Sequence, residues 1–329
     1  MITSLLRQLI EAHGVSGQEE AVRAVIRQAA EPYADEITVD ALGNLIVHQQ
    51  GGGKKIMLAA HMDSVGVIVT HIEKNGFLRF GAVGGLEPQA IYQTMVRFPN
   101  GTMGITAVDE NKEEKKFQLS DLYLDIGASD RDEAKTLVSV GDTAAFAGAV
   151  CANGSRVMGP YLDNRVGCAA LLEVMKRTQH PTNDLYYVFT TQEEVGMRGA
   201  KPAAWSVAPD YALAVDVTCP DDQPGALHEA TTKVGGGAAI KLMDHSVLCH
   251  REVVAKLRQL AQARQIPVQD DILKTGGTDA GVIHVSRGGV RTGGVSIPCR
   301  YTHSQTELID LADVEACVRL LQAFCESEF

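Results

Sequence analysis

Apolar and polar positions divide the chain into three stretches with different periods. In the first, Leu5, Leu6, Leu9 and Ile10 recur at helical spacing and Gly14 closes the run, which predicts an N-terminal helix. A second helix is expected through about Ala30, with Ser16 and Glu19 as its capping box and Pro32 as its stop. Residues 37–39 and 45–47 flank a turn and read as a strand pair; Gly51-Gly52-Gly53 then leads into the apolar run 56–60, which ends in His61-Met62-Asp63.

From about residue 67 to 150 the period changes. Short strand-like runs at 67–70, 77–80, 95–98, 104–108, 122–126 and 143–146 are punctuated by the hairpin signals Asn75-Gly76 and Asn100-Gly101. Only residues 130–136 read as a helix, capped by Ser129, and the charged run 110–116 reads as a solvated loop. An all-β block of this kind inside an α/β chain is an inserted domain, a small barrel or sandwich, whose unpaired strand edges are natural pairing surfaces.

After Asn153-Gly154 helix and strand alternate again. A helix at 164–176 is followed by an apolar and aromatic strand ending near Glu193-Glu194, a strand at 211–215 ending in Asp216, and a helix at 252–264. The loop 275–279, a strand at 290–297 and a last helix with Asp310 as N-cap close the chain. The expected fold class is α/β: a mixed-sheet domain with helices on both faces, formed by residues 1–66 and 151–329, interrupted by a β-rich, barrel-like domain at 67–150.

Composition narrows the function. At 329 residues and 45% apolar content the chain can build a substantial core. A net charge of −11 without a basic run argues against a nucleic-acid surface. No segment reaches the ~18 uninterrupted apolar residues that span a bilayer, and the N-terminus lacks a secretory core, so a cytoplasmic protein without a membrane partner is expected. The seven cysteines are odd in number and form no Cys-x-x-Cys pair, which argues for reduced, mostly buried thiols.

The candidate chemistry lies at strand ends. Neighbouring side chains alternate faces along a strand, so Glu193 and Glu194 can serve one site only where the strand has ended. In open α/β sheets that edge is where ligands bind. His61, Asp63, Asp216 and His303 stand at comparable points, and Asp163 precedes a helix. Singly, each has an ordinary explanation as a turn residue, cap or structural histidine; together they are a set of metal-ligand types on both sides of the insert.

This ordered set resembles a known family. His61-Met62-Asp63-Ser64-Val65-Gly66, Leu162-Asp163-Asn164-Arg165, Gln192-Glu193-Glu194-Val195-Gly196, Asp216, Gly276-Gly277-Thr278-Asp279-Ala280 and Tyr301-Thr302-His303 are similar to motifs of the tetrahedral, or deblocking, aminopeptidases. These are dinuclear metallopeptidases related to bacterial leucyl aminopeptidase, and the likeness spans essentially the whole chain. It implies two divalent metal ions per subunit, zinc or cobalt with manganese as a further option. His61 and Asp216 would hold one ion, Glu194 and His303 the other, and Asp163 would bridge them. Asp63 would orient His61, and Glu193 would be the general base acting on a metal-bridging water. It further implies hydrolysis of short peptides from the N-terminus, dimerisation through the insert, and dimers assembled into a tetrahedral dodecamer.

Two rival readings remain at this point. Members of the family also carry endoglucanase labels, and Glu193 with another carboxylate could imitate the acid/base pair of a glycoside hydrolase. A non-catalytic assembly protein braced by metals is the other. His284 is expected to be structural, and Gly276-Gly277 serves either close approach to substrate or a turn.

Overall fold

The apolar run at 56–60 has no polar face, and in the computed structural model it is an inner strand buried on both sides. Ile56, Leu58 and Ala60 face one hydrophobic cluster, while Met57 and Ala59 face another. A strand of that kind needs helices above and below the sheet. The structure describes residues 2–110, 116–227 and 230–329; most of the expected 110–116 loop, and His228, lie outside the described residues.

The chain opens with α1 (Ile2–Glu11), α2 (Glu20–Ala30), β1 (Glu36–Val39), β2 (Leu45–Gln49) and the inner strand β3 (Lys55–His61). Strands β4 (Gly66–Ile72), β5 (Leu78–Val83), β6 (Met95–Arg97), β7 (Met103–Val108), β8 (Leu122–Asp125) and β9 (Thr143–Phe146) follow, with helices α3 (Pro88–Ile91) and α4 (Arg131–Leu137) between them. Next come β10 (Cys151–Asn153), β11 (Arg156–Gly159), α5 (Leu162–Arg177), β12 (Asp184–Thr190), α6 (Ala200–Val207) and β13 (Tyr211–Thr218). The rest is β14 (Ala238–Met243), α7 (Arg251–Ala263), β15 (Val268–Ile272), α8 (Ala280–Ile283), β16 (Arg291–Pro298), β17 (Glu307–Asp310) and α9 (Leu311–Cys325).

Eight strands form one mixed sheet in the order β1-β2-β12-β3-β13-β16-β14-β15. Its centre, β12-β3-β13-β16, is parallel, while β2 and β14 run antiparallel to their inner neighbours. α5, α7 and α9 pack on one face and α6 and α8 on the other. β4 to β9 close into a barrel in the order β4-β5-β8-β7-β6-β9. Closure pairs the strand edges, so the barrel does not offer the open edge that the sequence suggested for association.

Local details depart from expectation where a long-range partner competes. The Ser16 hydroxyl donates to Asp63 Oδ2 at 2.6 Å instead of capping α2, and Glu19 Oε1 accepts from Gly17 N–H at 2.6 Å, so no capping box forms. Asp130, not Ser129, caps α4, accepting from the N–H groups of Asp132 and Glu133. β13 continues two residues beyond Asp216 because Val217 and Thr218 still pair with β16. Strands β14, β15, β10, β11 and β17, which carry weak local patterns, were not anticipated by the periodicity.

Candidate metal centre

Parallel pairing brings the carboxyl ends of β3, β12, β13 and β16 to one edge of the sheet. Thr190 lies opposite His61 in the β12–β3 register, so the loop after β12 emerges beside that imidazole and carries Glu193 and Glu194. Asp216 lies near the end of β13, and the loop between β16 and β17 carries His303. Asp163 stands in the first turn of α5 with non-helical backbone angles (φ −76°, ψ 109°). Five non-glycine residues in or beside these loops, Tyr161, Gln192, Met197, Tyr301 and His303, take left-handed φ values between 54° and 62°. Such backbone is costly and persists where surrounding structure imposes it, as at functional sites.

The structure gathers five of the predicted residues into two adjoining groups: His61, Asp163 and Asp216, then Asp163, Glu194 and His303. His61 Nε2 lies 3.2 Å from Asp163 Oδ1 and 3.5 Å from Asp216 Oδ1. His303 Nε2 lies 3.5 Å from Asp163 Oδ2 and 3.2 Å from Glu194 Oε2. The two oxygens of one carboxylate therefore face two different imidazole–carboxylate pairs. Asp163 Oδ1 and Glu194 Oε1 are buried without a hydrogen-bond partner, a costly condition that a cation on each side of Asp163 would relieve.

Asp63 sits beneath one half of this cluster. Its Oδ1 is 3.6 Å from His61 Nδ1 and accepts from Glu193 N–H at 3.0 Å; Oδ2 accepts from Glu194 N–H at 3.3 Å. Burial pushes the Asp63 carboxyl up, but His61, the Ser16 hydroxyl and the Glu193 N–H more than offset it and hold it below the usual carboxylate range. Its carboxylate thus fixes the backbone of both glutamates, while its main-chain carbonyl bonds His61 Nδ1 at 3.2 Å.

Three contributors have no signal in the local sequence. The Gly85 carbonyl, from the barrel segment after β5, accepts from His303 Nδ1 at 2.8 Å, which leaves Nε2 free to face Asp163 and Glu194. Its neighbour Gly84 has φ +82°, and a Cβ there would lie 2.8 Å from Val65 Cγ1, so only glycine lets the segment pass this close. Glu307, at the start of β17, accepts from the N–H groups of Asp163 and His303. Ser16 holds Asp63 from the N-terminal loop. His284, by contrast, bonds Nδ1 to the Ala280 carbonyl at 2.9 Å and stays outside both groups, as expected of a structural histidine.

The cluster's field favours positive charge. Burial pulls the His303 imidazole down, yet Asp163 and Glu194 outweigh it and raise the group to about 12. His61 is likewise raised, Asp216 and Asp163 outweighing burial. Glu193 belongs to neither group; burial, then the carboxylates of Asp216, Asp279 and Glu194, push its carboxyl well up, against His61. Burial also holds the Asp279 carboxyl at about 7, and Asp279 Oδ2 accepts from the Thr190 hydroxyl at 2.6 Å. The site opens into a cavity of about 470 Å³ whose far wall includes Met197, Cys219, Leu273, Gly276 and Gly277; among its described lining residues there is no Lys or Arg.

Comparison with known proteins places the chain in a family. Residues 43–320 match the M42 glutamyl aminopeptidase family. A protein of Acetivibrio thermocellus with a provisional aminopeptidase name is 47% identical over 323 residues, covering 98% of each chain. A solved aminopeptidase from the archaeon Desulfurococcus kamchatkensis has a TM-score of 0.95 at 35% identity, with 99% of this chain and 94% of that one covered. The TET1 peptidase of Pyrococcus horikoshii, described as able to assemble into a tetrahedron or a large octahedral shell, has a TM-score of 0.89 at 32% identity over 99% of both chains.

The Asp63 network generates a graded expectation. Asp63→Ala should weaken metal binding about 10–100-fold, because an outer carboxylate orients the ligands it touches. Ser16→Ala removes one donor to Asp63 and should cost roughly tenfold or less on the same scale. Chelator-competition titrations of both variants check the order; a Ser16→Ala loss equal to that of Asp63→Ala would contradict it.

Proposed function

The chain belongs to the M42 glutamyl aminopeptidase family, metal-dependent hydrolases of peptide bonds, and we propose that this member removes N-terminal residues from short peptides in the cytoplasm using two divalent ions. The observation that carries the reading is the division of Asp163: Oδ1 faces His61 and Asp216, Oδ2 faces His303 and Glu194. His61 and Asp216 would hold one ion and His303 and Glu194 the other, with Asp163 serving both. Imidazole and carboxylate donors without thiolate suit zinc or cobalt, with manganese also accommodated. Bound there, such a pair of ions supplies an acidified bridging water and a polarised scissile carbonyl.

Glu193 is the general base in this account. It lines the same cavity as both ligand groups without belonging to either, in place to take a proton from the attacking water and return it to the leaving amine. Asp63 acts through others, orienting His61 and fixing the backbone that carries Glu193. The carboxylate-rich cavity, with no Lys or Arg among its described lining residues, favours a cationic α-amine and so an exopeptidase. A glycoside hydrolase has no use for two imidazoles sharing one aspartate between them.

Assembly falls to residues 67–150 in this reading, with residues 1–66 and 151–329 as the catalytic domain. Barrel closure removes strand pairing as the means, but Met95, Met103 and Ile105 project from β6 and β7 and are 49%, 45% and 48% exposed. Large side chains left in water on neighbouring strands are the material of a subunit contact, which in this reading joins the homodimers of a tetrahedral dodecamer.

Three outcomes are expected. Glu193→Gln should keep both ions yet lose about 10²–10⁴-fold in kcat, whereas Asp163→Asn should lose metal; elemental analysis beside kcat checks both, and an active Glu193→Gln protein sinks the assignment. A peptide with a free N-terminus should be cleaved and its N-acetylated counterpart left intact; equal rates in a chromatographic assay would remove the exopeptidase reading. Replacing Met95, Met103 and Ile105 by serine should lower the assembled mass in light scattering while metal content stays; an unchanged mass places the contact elsewhere.

A further inference from the structure

Glu307 is 1% exposed and begins β17, which pairs with β11 in a three-stranded sheet beside the main one. Gly159 of β11 lies opposite Glu307, so the chain segments leading to Asp163 and from His303 both pass this residue. Its Oε2 accepts from Asp163 N–H at 2.8 Å and its Oε1 from His303 N–H at 3.0 Å. Those two ligands come from distant parts of the sequence and share no strand. His303 also has a left-handed φ of 62°, a conformation that a histidine keeps only where neighbours hold it.

Such bonds need an acceptor with two well-separated oxygens at the right span. The buried Glu307 carboxyl group supplies that, one oxygen to each N–H. Burying the carboxylate is costly unless it is paired. No Lys or Arg ion pair to Glu307 is found among the described residues, and the N–H donors face it from the ligand backbone itself. The arrangement stabilises one relative placement of Asp163 and His303, the one that sets His303 Nε2 3.5 Å from Asp163 Oδ2.

We propose that Glu307 is a positioning residue for the pair of ions: by gripping the backbones of Asp163 and His303 with one carboxylate, it sets the geometry of the half-site formed by His303, Glu194 and Asp163. It is the counterpart of Asp63, which grips His61, Glu193 and Glu194 on the other side. The proposal rests on the ligand roles given under the proposed function. Glu307 touches neither substrate nor reacting atoms and acts only through the two residues it holds.

The test is Glu307→Gln, which keeps the size and one acceptor oxygen but turns an NH₂ towards the second N–H. Glu307→Asp, which keeps the charge and shortens the reach, accompanies it in case the amide variant folds poorly. The probe is Co²⁺, titrated against a chromophoric chelator and followed by its visible absorption. Wild type should bind two ions; in both variants the weaker Kd should rise by about 10–100-fold while the tighter one moves by no more than about threefold, with a changed Co²⁺ spectrum. Two unchanged dissociation constants and an unchanged spectrum in both variants overturn the proposal. Equal weakening of the two sites does so as well, since that is what a merely structural residue would produce. Wild type that binds no second ion refutes the ligand roles themselves, a separate failure from that of Glu307.

Discussion

Carboxylates buried side by side repel one another, and the architecture around this site is organised by the need to offset that repulsion. Asp63, Asp163, Asp216 and Glu307 are each at least nine-tenths buried, and Glu194 joins them at the same sheet edge. An ionised carboxyl in such surroundings stays charged only with donors or cations against it. Backbone N–H groups meet part of the demand: those of Glu193 and Glu194 go to Asp63, those of Asp163 and His303 to Glu307, and that of Val217 to Asp216. Two imidazoles meet more of it. What is left over, Asp163 Oδ1 and Glu194 Oε1 without a hydrogen bond, is the part suited to divalent cations.

The same constraint reaches into the fold. Arg165, fully buried two residues after Asp163, donates to the carbonyls of Leu9 and Gly14 and so ties the first helix and the Ser16 loop to the ligand segment. It also places a guanidinium where Asp63 feels its charge. Ser16 and Gly85 approach from opposite directions, one from the N-terminal loop and one from the barrel, and each fixes a residue that faces the cluster. The barrel is therefore not a bystander to the cluster: the Gly85 carbonyl, just after β5, takes Nδ1 of His303 and leaves Nε2 facing Asp163 and Glu194.

Much of this was legible in the amino-acid sequence, for a physical reason. A parallel sheet gathers the residues at its strand ends along one edge, and the apolar runs that stop at His61 and before Glu193-Glu194 announce two of those ends, while β13 runs two residues past Asp216. The hairpin signals and short alternating runs of the insert likewise read correctly as strands, and the barrel is their closure. What stayed hidden were partners set by distance in space. Ser16 looks like an N-cap because its neighbours look like a helix, yet Asp63 outcompetes the helix for its hydroxyl. Glu307 reads as one more acidic residue near the C-terminus, and Gly85 contributes a backbone atom that any residue type carries. β14 and β15 were missed because Lys241 and Asp271 interrupt their apolar pattern; buried and paired at 2.7 Å, they satisfy each other across neighbouring strands.

The claim on which the rest turns is that one aspartate serves two ions. Anomalous diffraction from crystals equilibrated with Co²⁺ or Zn²⁺ tests it most directly. The account predicts two peaks about 3.5–4 Å apart, one among His61, Asp163 and Asp216 and the other among Asp163, Glu194 and His303, with one Asp163 oxygen on each. A single peak, or two peaks of which either lies away from Asp163, would contradict it.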